Sequence, residues 1–166
     1  MTSLDDLFLH FLQDVFYAER QLLKALPKMA KAAQAPALKE AFTAHREETV
    51  HQIERLEQVF EKIGKPARGI PCEAIKGLIE EAEEVIGDSQ PGPVRDAGLI
   101  ACGQAVEHYE MARYTSLIAW ATAGSHSDVV ALLGKTLAEE TKAEKMLGEL
   151  AMKQINKSAA AVAKAA

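Results

Sequence analysis

Four long stretches of this chain place apolar residues at alternating spacings of three and four, the period that keeps side chains on one face of an α-helix. In the first, Leu12, Val15, Leu22, Leu26 and Met29 lie on such a stripe with Glu19 inside it. The second runs through Leu38, Phe42, His45, Thr49, Gln52, Leu56, Val59 and Ile63. The third runs through Ile100, Gly103, Glu107, Glu110, Tyr114, Leu117 and Ala121, and the fourth through Val129, Leu133, Leu137, Glu140, Glu144, Leu147 and Ala151. Helices of this kind must each bury one face against another helix, so the chain is expected to be all-α.

Punctuation residues divide the stripes. Ser3-x-x-Asp6 is a helix-start capping pattern, Pro27 should kink the first helix, and Pro36 breaks it from the second. Gly64 stops the second, and Pro71 opens a shorter helix whose Glu80, Glu81, Glu83 and Glu84 read as a solvated face. Gly87 to Pro93 ends that helix, Gly124 closes the third long one, and Ser125-x-x-Asp128 offers a capping pattern for the fourth. The long helices are then expected over 4–34, 37–63, 94–123 and 127–156. This predicts a four-helix bundle in which the short helix forms part of the crossover between the second and third long helices. No linker separates two cores, so residues 1–156 are expected to form one domain, with 157–166 as a frayed tail.

Charge narrows the function classes. The formal net charge of -5 arises from interspersed acids and bases, which gives no nucleic-acid footprint. Acidic residues stand where a signal peptide would be basic, and no apolar run approaches the ~18 residues of a membrane span. The expectation is a soluble cytoplasmic protein in which Cys72 and Cys102 are reduced and buried.

The polar residues on the stripes carry the functional signal. Glu19, Glu48 with His51, Glu107 with Glu110, and Glu140 all fall within about one turn, ~5 Å of rise, of their helix midpoints. Antiparallel neighbours aligned end to end would put them at one level of an apolar core, where like charges repel and water is scarce. Two divalent cations are the compensation that fits. Carboxylate oxygen with imidazole nitrogen suits iron or manganese, and one Glu from each of two helices plus Glu-x-x-His from each of the others is the ferritin-like dinuclear constellation. Here Glu19 and Glu107 would be the single glutamates and Glu48-x-x-His51 one pair, whereas Ala143 stands three residues after Glu140. His45, one turn before Glu48, reads as a partner behind the ligands.

Tyr17-Ala-Glu19-Arg-Gln-Leu-Leu, His45-x-x-Glu48-Thr-x-His51, Arg55-Leu-Glu57, Glu107-His-Tyr-Glu110 and Glu139-Glu140, in that order, resemble the bacterial YciE/YciF-type ferritin-like proteins over roughly Leu4 to Ala151, with a more distant likeness to rubrerythrins. The resemblance implies a dimer, a dinuclear metal site and an association with stress responses. Carried over by motif position, it implies Glu19, Glu48, His51, Glu107 and Glu140 as metal ligands, with Glu110 and Glu144 as extra ligands. The expected activity is a di-iron reaction with dioxygen or peroxide. The alternative is a non-catalytic dimer that sequesters iron or uses metal structurally.

Overall fold

The computed structural model describes residues 1–162. Its long helices are α1 (Leu4–Ala32), α2 (Pro36–Lys62), α4 (Pro93–Ala123) and α5 (Val130–Leu150), with the shorter α3 (Glu73–Asp88) between α2 and α4. After α5 a π turn, Ala151–Ile155, leads into α6 (Asn156–Val162). The expected bundle with its crossover helix is therefore the observed one.

Local chemistry sets most boundaries. Ser3 Oγ accepts from the Asp6 amide at 3.0 Å and Asp6 returns the contact to the Ser3 amide, closing the capping box at the start of α1. Pro27 lies on the exposed side of α1, and the helix continues through it. Pro36 and Pro93 both occupy first-turn positions, where proline's missing N–H costs nothing. Gly64 takes φ 65°, and the Lys65 amide reaches back to the Phe60 carbonyl, so α2 ends in a Schellman turn that needs glycine there.

α1, α2 and α4 begin and end within two residues of expectation, and three further boundaries differ. The helix expected from Pro71 starts at Glu73, with Cys72 at its N-cap. The Ser125-x-x-Asp128 cap is not formed: a 3₁₀ turn, Ser127–Val129, intervenes without a side-chain cap, and α5 starts at Val130. Tertiary contacts hold that corner instead, as His126 stacks on Phe8 with ring centroids 5.0 Å apart and faces Asp5 at 3.4 Å. Of the tail expected to fray, 157–162 belong to α6, and residues 163–166 lie outside the described residues. Leu147, Ala151 and Ile155 are all buried although spaced by four, and the wider π turn keeps Ile155 on the core side.

Around the bundle, α1 packs on α2 and α4, and α5 packs on α4 and α2, so the two pairs joined by short turns lie side by side. α3 covers α1 and α4. The apolar core comes in two parts. One holds Phe8, Phe16, Leu56, Phe60, Leu117 and Leu133, and the other Leu22, Leu26, Phe42, Leu99, Ile100 and Leu147. Along each long helix a polar segment separates the parts: Glu19 on α1, His45 to Gln52 on α2, Glu107 to Glu110 on α4 and Glu140 on α5. A layer of ionisable side chains thus sits between two apolar layers.

Candidate metal centre

Each of the four long helices sends at least one ionisable side chain into this layer. Glu19, Glu110 and Glu140 have no exposed surface, and Glu107 and His45 are almost fully buried. Ligand-type atoms of His45, Glu107, Glu110 and Glu140 all lie within 4.8 Å of one another. His45 Nε2 is 3.3 Å from a Glu107 oxygen and 3.7 Å from one of Glu140, while His45 Nδ1 faces a Glu48 oxygen at 3.7 Å. Tyr114 donates its hydroxyl proton to Glu19 Oε1.

Within this layer hydrogen bonds are scarce. Both oxygens of Glu110 and of Glu140, one each of Glu19 and Glu107, and both ring nitrogens of His45 are buried without a hydrogen-bond partner. Natural cores pair nearly all such atoms, because an unmade buried hydrogen bond costs about 1–3 kcal/mol. Burial, followed by the charge of Glu140, pushes the Glu19 and Glu107 carboxyls well above the ordinary range. Glu110 is raised likewise by burial, and then by Glu19 and Glu140. Burial also raises Glu140, though His45 opposes it, and the buried Tyr114 phenol is raised well above its usual value. A convergent, underbonded set of carboxylates with one imidazole is the donor chemistry of a metal site, and these residues can hold a metal ion.

Of the residues singled out in the sequence, the structure brings Glu107, Glu110 and Glu140 together with His45, and buries Glu19 in the same layer, where burial and then Glu140 raise its carboxyl. Glu48 stands at the rim, 34 % exposed, with its carboxyl held below the ordinary range first by His45. His51 and Glu144 are not in the layer. His51 is exposed and its Nδ1 lies 3.1 Å from Glu54. Glu144 accepts from Gln104 at 2.9 Å and faces the exposed His108.

Helix phase explains this. Three residues advance an α-helix by roughly 300°, so His51 falls about 60° beyond Glu48, on the side away from the core. His45, three residues before Glu48, falls inward by the same step. The signal for His45 was on the page: it lies on the stripe Leu38, Phe42, His45, Thr49, Gln52, Leu56, which His51 does not join.

Beside the layer, α2 and α5 are tied by polar contacts. Arg55 donates to Thr136 Oγ1 at 3.0 Å and forms an ion pair with Glu139, and Gln52 also donates to Glu139. These explain why α2 buries Gln52 and Arg55. Elsewhere, Tyr109 donates to Asp14 at 2.8 Å and contacts the Cys72 thiol at 3.0 Å, with Arg113 stacked on its ring. Cys72 and Cys102 are free and buried. Among the described residues, no helix is long and apolar enough to cross a membrane.

Comparison with known proteins places this architecture. Protein YciF of Escherichia coli (strain K12) is 44% identical over 160 residues, 96% of each chain. The crystal structure of the E. coli stress protein YciF matches with a TM-score of 0.90, covering 95% of this chain and 99% of that one. YcfI of Rhodopseudomonas palustris is 49% identical with a TM-score of 0.87, covering 89% and 94% of the respective chains. A Xanthomonas campestris protein shares the fold at 19% identity, with a TM-score of 0.71 over 89% of this chain and 90% of its own. The model of one family, described as a domain of unknown function (DUF892), matches residues 3–160, and the chain belongs to that family.

Proposed function

We propose that this chain is a ferritin-like protein that binds two divalent metal ions in its layer of ionisable side chains, iron first and manganese as the alternative, and serves a bacterial stress response. The observation that carries the reading is the convergence of His45, Glu107, Glu110 and Glu140, with Glu19 buried in the same layer and most of their polar atoms unpaired. Four carboxylates match the charge of two dications, and oxygen-rich donor sets with one imidazole suit iron and manganese. The similarity to the E. coli stress protein YciF supports the physiological setting. A homodimer in the cytoplasm is part of the same reading.

When bound, a pair of ferrous ions supplies the two electrons that reduce dioxygen or peroxide. The chain's own part is to bind and exclude. Glu107 and Glu110 from α4, Glu140 from α5 and His45 from α2 would hold the ions, and Glu19 of α1, buried in the same layer and oriented by the Tyr114 hydroxyl, would add a further carboxylate. The two apolar layers keep bulk water from the carboxylates, so these ionise only as cation charge enters.

Elemental analysis of protein purified from iron-supplemented cells tests the binding, and oxygen or peroxide consumption by the ferrous-loaded protein tests the chemistry. The expected result is about two metal ions per chain, lost in a Glu107→Ala, Glu140→Ala double variant that keeps its helicity. Wild-type stoichiometry in that variant would refute the site. Retained metal with no consumption of either oxidant would refute the redox function and leave a sequestering protein.

A further inference from the structure

The Glu48-x-x-His51 motif straddles the bundle wall. Glu48, His51, Arg55 and Gln58 are spaced three, four and three, so they form a ridge of α2 that borders the inward stripe. This ridge lines a surface cleft of about 350 Å³ between α2 and α5, together with Glu54, Lys135 and Glu139. Arg55 is tied to Glu139 and Thr136 on the far side of the cleft. Glu54 is instead drawn to His51, at 3.1 Å.

Glu48 joins the cleft to the layer. One of its oxygens lies 3.7 Å from Nδ1 of the buried His45, and the other lies 3.8 Å from Nζ of Lys142, a surface residue of α5 that is 77% exposed. His45 Nδ1 has no hydrogen-bond partner and faces this carboxylate. The other flank offers no such link. Between α4 and α5, Glu144 contacts Gln104 and His108, neither of which belongs to the layer.

We infer that the α2/α5 cleft is the route by which a divalent cation enters the layer: His51 and Glu54 capture it, and Glu48 hands it past Lys142 to His45. The inference rests on the metal-binding reading above. His51 and Glu54 offer an imidazole nitrogen and a carboxylate to a hydrated dication at the surface. Glu48 is half-buried and has a partner on each side, so rotation of its side chain moves the carboxylate between solvent and core. Lys142 puts a positive charge on that carboxylate, which an arriving cation must displace. Repulsion beside Glu48 slows loading without altering the final complex, because Lys142 pairs with Glu48 and not with a buried ligand.

Cobalt(II) added to chelator-stripped protein reports the route, since its visible absorption follows loading in time and elemental analysis gives the final content. Lys142→Gln should load roughly threefold faster than wild type, with the advantage shrinking as salt screens the lysine. His51→Ala should load about threefold or more slowly, and His108→Ala, on the other flank, at the wild-type rate. All three should reach the wild-type cobalt content. Equal rates in Lys142→Gln, His51→Ala and wild type, at unchanged content, would overturn the route and leave the metal site standing. Lower final content in His51→Ala would make it a resident ligand and overturn its role in capture. A wild-type protein that takes up no cobalt removes both the route and the site.

Discussion

Replacing Glu110 by leucine should stabilise the metal-free protein and destabilise the metal-loaded one. Glu110 is fully buried, and neither of its oxygens has a hydrogen-bond partner. Burial, then Glu19 and Glu140, raise its carboxyl well above the ordinary value of 4.5. The sign follows from proton counting. Above pH 4.5 the unfolded chain ionises this group while the folded chain keeps it protonated, so the folded state binds the extra proton. Stability is then fully present below that pH and declines as pH rises toward the raised folded value. For as long as the folded state keeps the carboxyl protonated, each unit of rising pH costs about 1.4 kcal/mol. Leucine removes that dependence and also the unmade hydrogen bonds, worth about 1–3 kcal/mol. In chelator, the variant should exceed wild type by roughly 1–3 kcal/mol at pH 5.5, and the gap should widen at pH 7.5. With manganese at about a hundredfold its dissociation constant, wild type gains about 2.7 kcal/mol from each bound ion, and a variant lacking a ligand loses part of that gain. Urea unfolding followed by circular dichroism, at both pH values with and without metal, reads all four states. A chelated variant that is less stable than wild type at pH 7.5, or a gap independent of pH, would refute the buried-carboxyl argument.

Two further substitutions test the frame that aligns the layer. Asp96, buried on α4, accepts from the Gln34 and Ala35 amides at 2.8 Å each, so it caps the turn between α1 and α2. Asp96→Ala should lower stability by about 2–4 kcal/mol in urea unfolding, and a loss below about 0.5 kcal/mol would show that water replaces the carboxylate. At Gly98 of α4, an added Cβ would lie 2.7 Å from Val85 Cγ1 of α3. Gly98→Ala should therefore cost about 1–3 kcal/mol of stability, and Val85→Ala in the same chain should recover part of it. Additive losses in that double variant would refute steric conflict as the cause.

What the sequence made legible was phase within a helix, and what it concealed was register between helices. The stripes predicted four long helices, and the positions of Glu19, Glu107, Glu110 and Glu140 on them predicted a common level, because a buried face and a helix midpoint are both local properties. His45 was legible by the same rule. The Glu-x-x-His spacing drew attention to His51, although His51 lies off the stripe that His45, Thr49 and Gln52 define on α2. Gln52 sits on the α2 stripe, but its partner, Glu139, lies on α5 across the bundle. Which residue meets which across helices depends on how side chains of both interdigitate, and no spacing within one helix carries that information. The corner at His126 shows the same limit from the other side. Ser125 and Asp128 have the local chemistry of a cap, yet stacking on Phe8, a residue far away in sequence, accompanies a different turn. The ionisable layer is therefore best read as two problems solved separately: local periodicity delivers carboxylates to one depth, and packing of the two apolar layers decides which of them face one another.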